Sequence, residues 1–297
     1  MIGLRTRIEN LKTRLLFKRI LNSNYAPAKF RPRVEHGAPL AQSRKIELAN
    51  SHLEVWGEPQ SPIKILYVPG GGFCFGPHDD YRNFLTEIGA RLGAENYLLN
   101  YRLAPEHPYP AALNDTMDAL QLISGDGSQL AVIGDSAGAT LLLCALMKLR
   151  DQNLPPKVVA AVYLSAFTDL ALTGLSLVSN SRRDPMFSAE ALIHKIHHYL
   201  QGGNPTDPGV SPLWGDTSSL PPSLFLVGST EILYDDSARM VEKGLQLGCD
   251  FLLSSYSGAP HIFPINRKLP ESREARKEII QFLKAQLEKP NQVSTNP

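Results

Sequence analysis

The sequence has no apolar run approaching the ~18 residues a bilayer-spanning helix needs, and arginines break up its N-terminus where a secretion signal would carry an uninterrupted apolar core. No transmembrane helix is expected, and the protein is read as cytoplasmic. Cysteine is scarce: Cys74, Cys144 and Cys249 are scattered and odd in number, which suits a reducing compartment and gives no disulfide framework. Neither sign of charge dominates, and a net charge of +1 gives no reason to invoke nucleic acid or an acidic partner. Internal repeats and an interdomain linker are also missing. At 297 residues and 43% hydrophobic content, one α/β domain could bury about 75% of its unfolded surface.

What is present alternates between strand-like and helix-like runs. Arg44 to Ala49 and His52 to Gly57 flank Asn50-Ser51 and predict an opening hairpin. Six further strand-like runs follow at Ile63 to Val68, Tyr97 to Tyr101, Leu130 to Ile133, Val158 to Leu164, Leu224 to Val227 and Phe251 to Tyr256. Helical patterns at Tyr81 to Leu92, Ala111 to Ile123, Ala139 to Arg150, Asp235 to Leu247 and Glu271 to Glu288 separate them. Such alternation implies a mostly parallel, eight-stranded sheet covered on both faces, with a site at the C-terminal strand ends. A long crossover, residues 169–220, carries a predicted helix from Ser188 to Leu200 and reads as an insertion. Residues 289–297, rich in Asn, Gln, Ser, Thr and Pro, read as a disordered tail to the 44–288 domain.

Gly134-Asp135-Ser136-Ala137-Gly138 lies between a strand-like and a helix-like run, so Ser136 occupies a strand-to-helix turn. The pattern alone is weak; that context is what gives it force, because a tight turn lifts the hydroxyl above the sheet edge while the following helix aims its amides at a developing oxyanion. A serine hydroxyl also needs a base and donors. Pro69-Gly70-Gly71-Gly72-Phe73 leaves a buried strand and can bring backbone N–H groups close to a ligand. Of eight histidines, His261 lies in a loop between the last strand and last helix, completing the chain order serine, acid, histidine. The acid belongs on the loop after Leu224 to Val227. Glu231 has that position, and Asp235 is the alternative, already entering a helix. His194, His197 and His198 share a helix face and could mimic a metal site, but polar-face histidines with no carboxylate or cysteine close by are the simpler account. Cys74 lacks an elbow context and reads as a packing or pocket-lining residue.

These motifs, with Tyr101-Arg102-Leu103-Ala104-Pro105-Glu106, Ser165-Ala166-Phe167-Thr168-Asp169, Asp184-Pro185, Val210-Ser211-Pro212-Leu213 and the tail of His261-Ile262-Phe263, resemble the hormone-sensitive-lipase-like (bacterial family IV) carboxylesterases of the α/β-hydrolase fold. The resemblance covers roughly residues 44–285. It implies Ser136 as nucleophile, His261 as base, Glu231 as acid, and the amides of Gly71, Gly72 and Ala137 as oxyanion hole. It also implies short acyl substrates, a possible homodimer and no metal or organic cofactor. Two departures stand out. Pro69 occupies the position where the family usually has histidine, and the acid is glutamate where aspartate followed by proline is commoner.

Residues 1–43 are expected to join the insertion in a small helical cap. Leu4, Ile8, Leu11 and Leu15 form one face of an amphipathic pattern over residues 1–20, ringed by Arg5, Arg7, Lys12, Arg14, Lys18 and Arg19, so a membrane-surface helix is the alternative to a cap. Phe73, Phe75, Phe187 and Ile262 are candidates to line the substrate pocket, with core packing as the alternative. The expected activity is serine carboxylesterase toward a small-molecule ester. An amidase or lactonase using the same residues is the enzymatic alternative, and a ligand-binding receptor of this fold is the non-enzymatic one, opposed by the joint presence of Ser136 and His261.

Overall fold

The computed structural model of the protein describes residues 2–18, 27–34 and 39–289. Eight strands form one sheet: β1 (Arg44–Glu47), β2 (His52–Gly57), β3 (Ile63–Val68), β4 (Glu95–Asn100), β5 (Gln129–Asp135), β6 (Val158–Leu164), β7 (Ser223–Gly228) and β8 (Phe251–Tyr256). Their spatial order is β1-β2-β4-β3-β5-β6-β7-β8. The first hairpin and the β2–β4 pair are antiparallel, and every pair from β4 through β3 to β8 is parallel. All eight expected strands are present; β2, β3, β6 and β8 have the expected ends, and β1, β4, β5 and β7 differ by one or two residues. β4 starts two residues before the expected Tyr97, and β5 runs on to Asp135, because a strand's last residues are fixed by ladder bonds rather than by apolar side chains.

Strand residues of the central sheet are apolar on both sides, as burial beneath two helical layers requires. In β3, Ile65 and Tyr67 enter one core while Leu66 and Val68 enter the other. The first layer is built from α3 (Asp79–Leu92) and α9 (Pro270–Leu287), whose Phe84, Ile88, Ile279 and Leu283 pack on Ile65 and Ile133. The second is built from α4 (Ala111–Ser124), α5 (Ala137–Asp151) and α8 (Tyr234–Gln246). α5 is buried almost all round, so its sequence reads as continuously apolar rather than striped.

Between β6 and β7 the chain leaves the sheet and forms α6 (Ser176–Ser179) and α7 (Ala189–Leu200), the latter capped at its N-terminus by the Ser188 hydroxyl. The N-terminal segment adds α1 (Leu4–Thr13), a π-helical turn (Arg14–Lys18) and α2 (Pro27–Val34). Arg31 of α2 ties this segment to the glycine loop, donating to the carbonyls of Cys74 and Ala104 at 2.8 Å and pairing with Glu106. The expected amphipathic helix therefore ends in a π turn, and its last two positions lie outside the described residues, as does nearly all of the expected tail, 290–297. Among the described residues no helix is long and apolar enough to cross a membrane.

Candidate active site

Parallel pairing sets the C-terminal ends of β5, β6, β7 and β8 side by side, with Asp135 opposite Leu164, Leu164 opposite Leu226, and Gly228 opposite Tyr256. The loops leaving those ends carry Ser136, Ser165, Glu231 and His261. Ser136 follows β5 with φ 49° and ψ −120°, a conformation L-residues rarely adopt and that costs of order 1–3 kcal/mol. The strain is held from several sides: its N–H donates to the Leu164 carbonyl at 2.9 Å, and its own carbonyl accepts from Ala139 at 3.1 Å and Phe167 at 3.3 Å. Gly138 is required by close approach, since a methyl group there would overlap the carbonyl of Val68.

Glu231 is fully buried. Its Oε1 accepts from the Gly228 N–H at 2.6 Å and the Ser165 hydroxyl at 2.8 Å, and its Oε2 lies 2.7 Å from His261 Nδ1. His261 is 4% exposed. Burial alone would disfavour its charged form, but the Glu231 hydrogen bond and charge outweigh that, so the imidazole is held above its ordinary pKa. Asp235 sits in the first turn of α8, where its carboxylate accepts from the Ser176 N–H at 2.8 Å. Its neighbour Asp236 is buried, accepts from the Thr168 and Asp169 N–H groups, and is pushed up to about 8 by desolvation.

The glycine loop is braced by groups, some of them within the quoted motifs, to which the motif reading gave no bracing role. Gly71 and Gly72 have φ of 94° and 59°, which glycine adopts without strain. The Gly70 N–H donates to Asp135 Oδ1 at 2.8 Å, and that same oxygen accepts from the Tyr67 hydroxyl at 2.9 Å. Burial raises Asp135 to about 6, partly offset by these hydrogen bonds. The Tyr101 hydroxyl lies 2.9 Å from the Pro69 carbonyl and 2.8 Å from that of Gly70, and the Ala104 N–H donates to the Phe73 carbonyl at 2.9 Å. Thus the segment from Tyr101 to Glu106 grips the loop along its length, and Pro69 takes part through its carbonyl. Among the described residues, the N–H groups of Gly71, Gly72 and Ala137 donate to no protein acceptor. For Ala137 this follows from its place in the first turn of α5.

The four candidate pocket side chains divide into two pairs. Phe187 and Ile262 remain half-buried beside the histidine: the Phe187 ring meets His261 edge-on at 4.9 Å, and the Ile262 N–H donates to Ser165 Oγ at 2.9 Å. Phe73 and Phe75 are buried in packing against α7. Phe73 stacks on Tyr199 at 3.8 Å, and Lys195 lies over the Phe75 ring at 4.5 Å. Cys74 between them is buried, with its thiol pushed up to about 11 by desolvation. Of the helix-face histidines, His194 does have a carboxylate nearby, Glu190 at 4.0 Å one helical turn earlier, which corrects the expectation that none lay close by. Among the described residues no three His, Cys, Asp or Glu side chains are grouped so that they could hold a metal ion.

Polar residues that motif reading left without a role support the acid loop. Ser165 bridges Glu231 and Ile262. Asp184 accepts from the Ile232 N–H at 2.8 Å and from the Met186 and Phe187 N–H groups, so one carboxylate fixes both the acid loop and the Phe187 backbone. Asn180 donates to the Glu231 carbonyl at 2.9 Å. The resemblance quoted Ser165 and Asp184 within motifs, but only the fold shows what they touch.

The family model for the alpha/beta hydrolase fold matches residues 65–265. An esterase of Acinetobacter venetianus is 35% identical over 272 residues, 87% of this chain and 89% of that protein. An acetyl-hydrolase of Streptomyces hygroscopicus is 34% identical over 226 residues, covering 74% of this chain and 75% of the relative. The crystal structure of an esterase from the bacterial hormone-sensitive lipase family superposes with a TM-score of 0.84 at 29% identity, covering 97% of this chain and 99% of that one. The chain belongs to the α/β-hydrolase family and, within it, to the hormone-sensitive-lipase-like esterases.

Proposed function

We propose that the protein is a serine carboxylesterase that hydrolyses short-to-medium acyl esters through an acyl-enzyme intermediate. The observation that carries this reading is the buried Glu231–His261 pair at 2.7 Å, on the loops next to the strained elbow that presents Ser136. In this scheme Ser136 Oγ attacks the ester carbonyl while His261 Nε2 takes its proton and Glu231 stabilises the imidazolium through Nδ1. The unengaged amides of Gly71, Gly72 and Ala137 hold the oxyanion, each donor contributing on the order of 10²–10³ in rate. His261 then protonates the departing alcohol, and water attacks the acyl-Ser136 ester with the same groups in reversed roles.

Phe187 and Ile262, half-buried beside His261, are proposed to line the substrate site, with Phe73 and Phe75 forming the layer behind the glycine loop. The test is a panel of p-nitrophenyl esters from acetate to palmitate, run with p-nitroacetanilide and with EDTA. Turnover that is greatest for short acyl chains, slight for the anilide and indifferent to chelator supports the reading. Preference for the anilide would make the protein an amidase, and loss of activity in EDTA with recovery on zinc would return the function to the α7 histidines.

A further inference from the structure

The amphipathic N-terminal helix is mounted with its polar side toward the protein. The Thr6 hydroxyl reaches both carboxylate oxygens of Glu271 at 2.7 and 2.8 Å, and Asn10 Nδ2 donates to the Gly258 carbonyl at 2.9 Å. The apolar stripe consequently faces outward: Leu4 is 76% exposed, Ile8 45%, Leu11 58% and Leu15 69%. At about 100° per residue these four positions fall close to one line along the helix, with Arg5 and Lys12 on one flank and Arg7 and Arg14 on the other.

A second exposed pair adjoins it. Leu175 and Val178, beside and within α6, are each 80% exposed. Arg14 donates to the Arg182 carbonyl at 2.8 Å, and Lys18 donates to the carbonyls of Ser181 and Asp184 at 3.1 and 2.8 Å, so the two segments are bound to each other just past Val178. From Leu4 to Lys18 there are five cations against one carboxylate, Glu9, in a chain whose net charge is only +1. Arg182 and Arg183 add positive charge next to the second pair.

We propose that α1, its π turn and α6 form a docking face for an anionic phospholipid bilayer, lying in the headgroup region without spanning it. Charge complementarity chooses this occupant. An apolar stripe with cations on both flanks matches acyl chains below and acidic headgroups beside them. A second copy would set the same cationic flanks against each other. The placement also has a consequence for the site, because Asp184, whose carbonyl Lys18 holds, braces the loop that carries Glu231.

The test uses the full chain in co-sedimentation with vesicles of phosphatidylcholine alone and of phosphatidylcholine mixed with phosphatidylglycerol. The expected result is binding at least about tenfold stronger to the mixed vesicles, weakening as salt rises. Ile8→Asp with Leu11→Asp should reduce that binding at least about tenfold while turnover of soluble p-nitrophenyl acetate and the melting temperature stay unchanged, since both side chains are exposed. Arg5→Glu with Arg7→Glu should abolish the preference for anionic vesicles, and Val178→Asp should weaken binding on its own. Equal binding to both vesicle types, no binding, or binding untouched by these variants would overturn the proposal. So would a dimer in sedimentation velocity that the Ile8/Leu11 variant converts to monomer, which would assign the face to a second copy.

Discussion

Replacing Glu231 by glutamine keeps the shape of the side chain and removes only its charge and half its accepting capacity. The carboxylate serves three donors: the Gly228 N–H and the Ser165 hydroxyl at Oε1, and His261 Nδ1 at Oε2. The amide has one oxygen for these two positions. If that oxygen stays with Gly228 and Ser165, the NH₂ faces His261 and forces the tautomer with a proton on Nε2, which cannot accept from Ser136. In serine proteases the equivalent acid-to-amide change costs about 10⁴-fold in kcat for this reason. If instead the oxygen turns to His261, the buried Gly228 N–H loses its acceptor, a loss of about 1–3 kcal/mol in stability, and imidazolium still forms without a counter-charge. The expected result is a fall in kcat of about 10²–10⁴, or roughly 3–5 kcal/mol in the barrier, with folding preserved. The assay is steady-state hydrolysis of p-nitrophenyl butyrate beside a thermal melt. Asp235→Asn, at a side chain that accepts from the Ser176 N–H, should cost less than about tenfold. A Glu231→Gln enzyme within tenfold of wild type, or the reverse ranking of the two variants, would refute the reasoning.

Because Glu231 raises the pKa of His261, the acidic limb of kcat/KM should have its midpoint above the ordinary value of 6.5, as the base is lost on protonation; a pH–rate profile measures it, and Glu231→Gln should shift the limb downward. Asp135 and Asp236 bind protons in the folded state up to about 6 and about 8 that the unfolded chain has already released, so their contribution to stability falls as pH rises from about 4 to 8; Asp236→Asn should flatten the upper part of that fall in melts taken across the range. Ser165→Ala strips Glu231 Oε1 of one donor and leaves the Ile262 N–H without its acceptor, so kcat should drop about tenfold and stability by about 1–3 kcal/mol, read by kinetics and denaturant titration. Gly138→Ala drives a methyl group into the Val68 carbonyl and should lower the melting temperature and soluble yield far more than an exposed glycine replacement such as Gly125→Ala, where φ is −80°.

The strand positions and the elbow were legible because they rest on local signals, apolar runs bounded by glycine and a serine between strand and helix; the spatial order of the strands was not read from the sequence. Placement of Glu231 on a loop and Asp235 on a helix was legible for the same reason: Gly228 ends β7, and the chain needs a few residues to turn into α8. Orientation was not legible. The stripe of Leu4, Ile8, Leu11 and Leu15 shows that a helix has two faces, but Thr6 and Asn10 decide which face is inward, through partners at Glu271 and Gly258 near the other end of the chain. Phe73 and Phe75 read alike as pocket wall or packing until Tyr199 and Lys195 are brought to them. The bracing groups Asp135, Ser165 and Asp184 were hidden for a related reason. Each bonds a backbone or side chain 48 to 66 positions away, a distance across which spacing rules carry no information.

The most direct measurement for the central claim is intact-mass and peptide mapping of the protein after reaction with diethyl p-nitrophenyl phosphate. The account requires one diethylphosphoryl group per chain, located on Ser136 alone, with activity lost in proportion to labelling, and no adduct on Ser136→Ala. An adduct on Cys74 or another serine, or inactivation that leaves Ser136 unmodified, would contradict it.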